Sequence, residues 1–271
     1  MEKRIETDKM ISVIVPSYRN PKCLDICLES LLRGQENTNE VICIIDGFVE
    51  ESSSIIEKYK NDVNFISSNE NSGMQHSLNI GIWHAENEKL LIVNDDNVFP
   101  MSWDKILLED YDENLIITPN QIEKTKGIFN FVVKDFGPPE DFNLDDFMHN
   151  EKTLREDKLT DDGGIFPLFL SKKKYMMVGG FDDLYPSPFI CDWDFFLKCE
   201  LAGMKTLRSR KLNFYHFGSV STKNSKEGQR FKESEVEAYG LYKYKWGFDM
   251  ILNKDLSHSP KGKIIRGIKY E

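Results

Sequence analysis

The carboxylates and amides of this chain gather in a few places. The densest is Asn94-Asp95-Asp96-Asn97, which follows the apolar run Leu90-Leu91-Ile92-Val93. Carboxylate and amide oxygens are the hard donors that Mg²⁺ or Mn²⁺ takes, commonly one or two carboxylates together with substrate phosphates. The same four residues would also make an ordinary polar turn, since Asp and Asn favour turns. Asp46-Gly47 ends another apolar run, where a carboxylate could accept hydrogen bonds from a base or ribose, or simply close a turn. Asn71-Ser72-Gly73 precedes a helical segment and could present amides to a phosphate, or serve only as an N-cap. Asp192-Trp193-Asp194 opens a further helix. Carboxylates favour that end of a helix electrostatically, but one there could also act as a general base. His216 lies in Asn213-Phe214-Tyr215-His216-Phe217-Gly218-Ser219. A neutral imidazole at a strand end could ligate a metal, or merely pack between aromatics. His76, His84, His149 and His258 have still less context.

The elements that must position these residues alternate strand and helix through the first half. Ile11 to Val15 is a β-branched run stopped by Pro16, a buried strand. Cys23 to Leu32 has helical spacing. Strands over Val41 to Ile45, Val63 to Ile66, Lys89 to Val93 and Leu115 to Thr118 alternate with helices over Ser52 to Tyr59, Met74 to Ala85 and Ser102 to Leu108, with Ser102 as the N-cap of the last. This order predicts a mostly parallel, doubly wound sheet with helices on both faces. Ligands bind such sheets beyond the carboxyl ends of the strands, where Pro16-Ser17-Tyr18, Asp46-Gly47 and Asn94 to Asn97 all fall.

The second half is less regular. Lys134 to Asp161 reads as a long acidic excursion with a short helix. A strand over Ile165 to Leu170 leads to a helix over Lys172 to Val178, capped by Gly179-Gly180. A helix over Trp193 to Leu201 ends at Gly203, a strand covers Leu212 to Phe217, and Lys226 to Trp246 is a long amphipathic helix. The reading is one domain, residues 1–225, with a C-terminal helical extension and basic tail, 226–271.

A chain of 271 residues with 40% hydrophobic and 30% charged residues is globular and can bury a continuous core. Its formal net charge of -10 argues against nucleic acid as a partner. An acidic protein that binds a polyanionic nucleotide needs a cation, helix N-termini or a few placed Lys and Arg. Cys23, Cys27, Cys43, Cys191 and Cys199 make no disulfide framework, and free thiols suit a reducing, cytoplasmic setting. No run reaches the roughly 18 apolar residues of a spanning helix. The basic run Ser259 to Tyr270 could touch an anionic membrane, but a solvated tail is the plainer reading.

The order of these pieces resembles family 2 glycosyltransferases, which have the GT-A fold. Ile11 through Pro16-Ser17-Tyr18 is similar to that family's opening strand and turn. Ile44-Ile45-Asp46-Gly47 resembles its second strand, whose Asp contacts the base. Asn71-Ser72-Gly73 through Asn79-Ile80-Gly81 is similar to its Asn-x-Gly...Asn-x-Gly segment. Leu91 to Asp96 sits where the family has its DxD metal motif, and Val178-Gly179-Gly180-Phe181-Asp182-Asp183 resembles its Gly-Gly-Phe-Asp-Glu stretch. Cys191-Asp192-Trp193-Asp194 falls at its Glu-Asp motif, whose Asp is the base. His216 resembles a C-terminal His that completes metal coordination in some members. Tyr244-Lys245-Trp246-Gly247 resembles a Lys-Trp-Gly stretch at the end of related chains.

The resemblance implies an inverting transferase, of hexosyl or N-acetylhexosaminyl class, that moves sugar from a nucleotide-diphosphate-sugar to a hydroxyl of a glycan, glycolipid or protein-linked acceptor. UDP is the favoured nucleotide because it is commonest in such families. The implied donor site is Pro16, Ser17, Tyr18, Asp46, Gly73, Asn79, Asn94 and Asp95. Asp96 and His216 would hold Mn²⁺ or Mg²⁺, and Asp192 would be the catalytic base. Arg208, Arg210, Lys223 and Arg230 are candidate phosphate contacts. Two departures matter. Asn94 stands at the first DxD position, so coordination falls to Asp96, alone or together with Asp95. Cys191 replaces the Glu of the Glu-Asp pair, which removes a carboxylate that would raise the pKa of Asp192. A nucleotidyltransferase and a non-catalytic nucleotide-sugar-binding module are the rivals. The first is disfavoured because Pro16-Ser17-Tyr18-Arg19-Asn20 lacks the glycines of a triphosphate-gripping loop.

Overall fold

The computed structural model describes residues 10–125, 132–161, 166–186, 188, 190–218, 226–247, 251–252 and 258–259, the side chains of 226–232, 251–252 and 258–259 excepted. The first five strands are β1 (Ile11–Ser17), β2 (Glu40–Asp46), β3 (Asn64–Ser68), β4 (Lys89–Ile92) and β5 (Asn97–Val98). Helices α1 (Pro21–Gly34), α2 (Ser53–Tyr59), α3 (Met74–His84) and α4 (Trp103–Glu109) alternate with them. Then come β6 (Leu115–Glu123), β7 (Val132–Val133), α5 (Leu144–Glu151), β8 (Leu159–Thr160) and β9 (Leu168–Ser171). The described chain continues with α6 (Lys172–Met177), α7 (Cys191–Leu201), β10 (Lys205–His216), α8 (Lys226–Trp246) and a small ribbon of β11 (Ile251–Leu252) with β12 (His258–Ser259).

The main sheet runs β3-β2-β1-β4-β9-β6-β10-β5, with β7 beside β6 and β8 beside β10. β1 pairs in parallel with β2 and β4, β2 with β3, and β6 with β10. β9 runs against both of its neighbours, so β6 and β10 point the same way as β1. The expected mostly parallel sheet is therefore present, with reversed strands that apolar patterning cannot reveal.

Strand alternation divides the core between two faces. Val13 and Val15 of β1 pack with Leu24, Leu28, Ile55 and Trp103 of α1, α2 and α4. Ile14 packs on the other face with Leu78 and Ile82 of α3, Phe195 and Phe196 of α7, and Ala238 and Tyr242 of α8. A Cβ on Gly81 would stand 2.6 Å from Ile44 Cδ1 and 2.7 Å from Ile14 Cγ2, so a bare glycine lets α3 lie this close to the sheet. Pro21 opens α1, where its missing N–H is harmless. Ser102 does not cap α4 with its side chain as expected; it takes a left-handed φ of 62°.

The acidic excursion is tied down by α5. Buried Glu151 accepts from the Asn213 backbone N–H at 2.8 Å and from its side-chain amide at 3.0 Å, which joins the excursion to β10. No helix among the described residues is long and apolar enough to cross a membrane. The basic tail from 260 onward and Lys223 lie outside the described residues, as does the side chain of Arg230.

Candidate active site

Parallel pairing carries the ends of β1, β2, β6 and β10 to one edge of the sheet, and each ends in a polar residue. After β4, Val93 extends the β1 pairing by donating its N–H to Ile14 O at 3.1 Å. The acidic loop thus emerges beside the turn that follows β1. Asp95 is turned into that turn: it accepts from Ser17 Oγ at 2.7 Å and from Asn20 Nδ2 at 3.1 Å. Burial and the neighbouring Asp96 charge push its carboxyl up to about 7, against the opposing hydrogen bonds from Ser17, Asn20 and the Tyr18 backbone.

Asp96 faces the other way. The short β5, which the sequence reading treats as part of the loop, pairs antiparallel with β10 and sets Asn97 opposite His216. That pairing holds His216 Nε2 3.3 Å from Asp96 Oδ2. Parallel pairing of β6 with β10 sets Ile122 opposite Tyr215 and brings Glu123 beside the imidazole. Glu123 Oε1 lies 2.7 Å from His216 Nδ1. Burial pulls the His216 pKa down, but the two carboxylates outweigh it and push it up to about 10. The ring is therefore clamped between two carboxyl groups, one on each nitrogen.

These residues fit a divalent cation by donor chemistry. Asp96 offers a hard oxygen and His216 a borderline nitrogen. Glu123 on the far ring nitrogen is the arrangement that orients metal-binding histidines. No group of three or more such side chains converges among the described residues, so the remaining ligands would come from substrate phosphate and water.

Asp46 is buried and accepts from two backbone amides. Oδ1 accepts the Ser72 amide at 2.7 Å and Oδ2 accepts the Gly73 amide at 2.9 Å. Those two amides are thus taken up by a carboxylate, and Asp46 holds the entry to α3. Gly73 supports this turn with a φ of 95°, a conformation that favours glycine. Beyond Asp46, Phe48 meets the Tyr18 ring edge-on at 5.5 Å, and the Arg19 guanidinium sits 3.6 Å over Phe48. Arg19 and Phe48 both hold left-handed φ values, 54° and 56°. Such strain persists where the surroundings impose it, often at binding sites.

Asn79 is held by side-chain and backbone partners on and after α6. Its Nδ2 donates to Phe181 O at 2.8 Å and Asp183 Oδ1 at 2.9 Å. Its Oδ1 accepts from Tyr175 OH at 2.6 Å and from the Phe181 amide at 3.1 Å. Both amide hydrogens and the carbonyl are committed to Tyr175 of α6 and the turn after it. Gly180 permits that approach, since a Cβ there would come within 2.6 Å of Asn79 Oδ1. Arg208 is fully buried within β10, and Arg210 donates to Thr160 Oγ1 at 3.3 Å. Both precede His216 by several residues and lie away from the strand end that carries it.

Asp192 lies in the first turn of α7 and accepts from the Trp193 amide at 2.8 Å. Three residues link α7 to Lys205 at the amino edge of the sheet, so the start of the helix lies toward the carboxyl edge. The Asp192 carboxyl is pushed up to about 7 because the surrounding chain strips it of water, while the Trp193 and Asp192 backbone amides pull it down. Cys191 supplies no neighbouring carboxylate to raise this pKa, and desolvation raises it instead. Cys191 is buried, and the same desolvation pushes its thiol up.

The sequence pattern that defines glycosyl transferase family 2 matches residues 12–173. The chain belongs to this family. An uncharacterized glycosyltransferase of Haemophilus influenzae is 28% identical over 193 residues, covering 70% of this chain and 61% of that protein. Glycosyltransferase GlyG of Streptococcus pneumoniae serotype 4 is 26% identical over 176 residues, covering 61% of this chain and 57% of the relative. The match thus spans about three fifths of each. The fold agrees with S. aureus TarS 1–349, with a TM-score of 0.57 at 16% identity over 88% of this chain and 65% of that one. It agrees likewise with the mannosyltransferase PcManGT of Pyrobaculum calidifontis, solved with GDP-Man and Mn²⁺, with a TM-score of 0.58 at 14% identity over 86% and 63%. The family 2 chain therefore has the GT-A fold.

Sequence reasoning missed Asn20, Phe48 and Glu123. Asn20 had a weak signal, as the residue before the Pro that opens α1. Glu123 is the last residue of a strand whose extent the apolar run understates.

Proposed function

We propose that this family 2 chain is an inverting glycosyltransferase that moves a hexosyl or N-acetylhexosaminyl group from a nucleotide-diphosphate-sugar to an acceptor hydroxyl. The observation that carries the reading is the meeting of Asp96 with His216 at 3.3 Å at the sheet's carboxyl edge. Ser17, Tyr18, Asp46, Gly73 and Asp95 line the same edge and would form the donor pocket. Asp96 and His216 would hold Mn²⁺ or Mg²⁺. Bound there, the cation would neutralise charge on the leaving diphosphate.

Asp192 supplies the other half of the reaction. Its carboxylate takes the proton of the acceptor hydroxyl as the oxygen forms its bond to the anomeric carbon. The bond to the diphosphate breaks on the opposite face, which inverts the centre. A base with a pKa of about 7 is ionised in useful amount at neutral pH and still has driving force for the transfer. This poise favours an enzyme over a mere binding module. UDP is the favoured donor nucleotide. TarS 1–349 has been solved with UDP, and GalNAc-T7, a further protein of similar fold, with UDP, GalNAc and Mn²⁺. The five buried free thiols suit a reducing cytoplasm. The acceptor, a glycan, glycolipid or protein-linked hydroxyl, would be read by the segment from Phe129 to Gly164.

Incubation with Mn²⁺ and a panel of nucleotide sugars tests the reading. Release of nucleoside diphosphate together with a glycosylated product is expected. Pyrophosphate release would make the protein a nucleotidyltransferase, and binding without turnover a module.

A further inference from the structure

The last turn of α8 reaches back to the helix that carries the base. Lys245 Nζ donates to Asp182 Oδ2 at 2.7 Å and to Asp194 Oδ2 at 2.9 Å, and lies 2.8 Å from Asp194 Oδ1. Trp246 Nε1 donates to Asp194 Oδ1 at 2.8 Å. Tyr185 OH donates to the same oxygen at 3.1 Å, and Lys198 Nζ lies 3.5 Å from Oδ2. Lys198 also donates to the carbonyl of Gly180. Gly247, with a φ of 75°, ends the helix directly after these two residues.

Asp194 is 0% exposed, so its charge is a liability unless every lone pair is satisfied. A helix needs no such group to form. What the group achieves is mechanical. It joins three separate pieces of chain: the turn carrying Asp182 and Tyr185, the first turn of α7, and the end of α8. Asp194 is two residues past Asp192 in that first turn, so whatever fixes Asp194 fixes the direction in which Asp192 points. Ala238 and Tyr242 bury in the core below and seat α8 against the same face.

We propose that Lys245 and Trp246 are positioning residues that hold the first turn of α7, and with it the Asp192 carboxylate, in line for the acceptor proton. The inference rests on Asp192 being the base. Reactive groups work when neighbouring hydrogen bonds lock them in place, and a displacement of about 1 Å can lower a rate about a hundredfold. The latch is built from a different part of the chain than the donor edge. Losing it should therefore reach catalysis and spare nucleotide binding.

Trp246→Phe keeps the ring and removes the indole donor, so the protein should still fold. Lys245→Met removes the charge, and Lys245→Arg restores it. Each variant is compared with wild type for UDP affinity, kcat with donor and acceptor saturating, and amide exchange over 191–195. In Trp246→Phe, UDP affinity should stay within about twofold while kcat falls at least about tenfold and exchange in the first turn of α7 speeds up. Lys245→Met should lose more, and Lys245→Arg should recover most of the rate. Wild-type kcat and exchange in Trp246→Phe would overturn the proposal, as would a parallel loss of UDP binding and kcat, which marks a merely structural role. Failure of the underlying reading looks different: Asp192→Asn would then turn over normally, whereas failure of the latch alone leaves Asp192→Asn inactive.

Discussion

At the scale of single residues, desolvation pushes Asp192, the proposed base, up to about 7. The sign of the resulting pH dependence follows directly. Burial disfavours the ionised form and lifts the carboxyl to about 7, so below that pH the group is protonated and cannot accept the acceptor's proton. With donor, acceptor and cation saturating, kcat should fall about tenfold per pH unit below about 7 and level off above it. A profile flat from pH 5 to 8 would remove Asp192 from this role. Glu123 is the other residue with a defined task. It holds His216 Nδ1 at 2.7 Å, and loss of such a partner typically lowers metal affinity 10- to 100-fold. Glu123→Gln should weaken Mn²⁺ binding by about that factor, read by calorimetry or by the electron paramagnetic resonance signal of free Mn²⁺. Unchanged affinity would mean that the imidazole needs no second carboxylate.

At the scale of elements, sequence patterning revealed what periodicity can encode. The run Ile11 to Val15 stands as a buried strand within β1, and Lys226 to Trp246 is helical over the range its spacing predicts. Other features leave no such trace. β5 is two residues long, too short to show any period, yet its pairing with β10 sets Asp96 beside His216. β10 starts at Lys205 and not at Leu212, because Lys205, Arg208, Arg210 and Lys211 interrupt the apolar run that would announce it. The reversed direction of β9 depends on its partners. The resemblance of the Asn-x-Gly segment implies a donor contact for Asn79, while its partners at Phe181 and Asp183 lie about a hundred residues away in the sequence. The Gly81 beside it has a packing explanation. Gly81→Ala would force a methyl to within 2.6–2.7 Å of Ile44 and Ile14 in a core without spare room. Overpacking of this kind should destabilise the protein by about 1–3 kcal/mol, measured by denaturant unfolding. Unchanged stability would show that α3 can lift off the sheet freely.

At the scale of the whole molecule, the parts divide by origin. The residues proposed for the donor edge, Ser17 to Asp96, lie inside the stretch that matches glycosyl transferase family 2. Glu151 lies inside that match and anchors the acidic excursion on β10, whereas Asp192, the proposed base, and His216 lie beyond its end. This division predicts that donor binding and sugar transfer are separable. Asp192→Asn tests the central claim most directly. The variant keeps the size of the side chain while removing the proton acceptor. With Mn²⁺, a competent donor and its acceptor, it should bind the nucleotide sugar as wild type does and lose transfer by at least about a hundredfold. Transfer at the wild-type rate by Asp192→Asn would contradict the account.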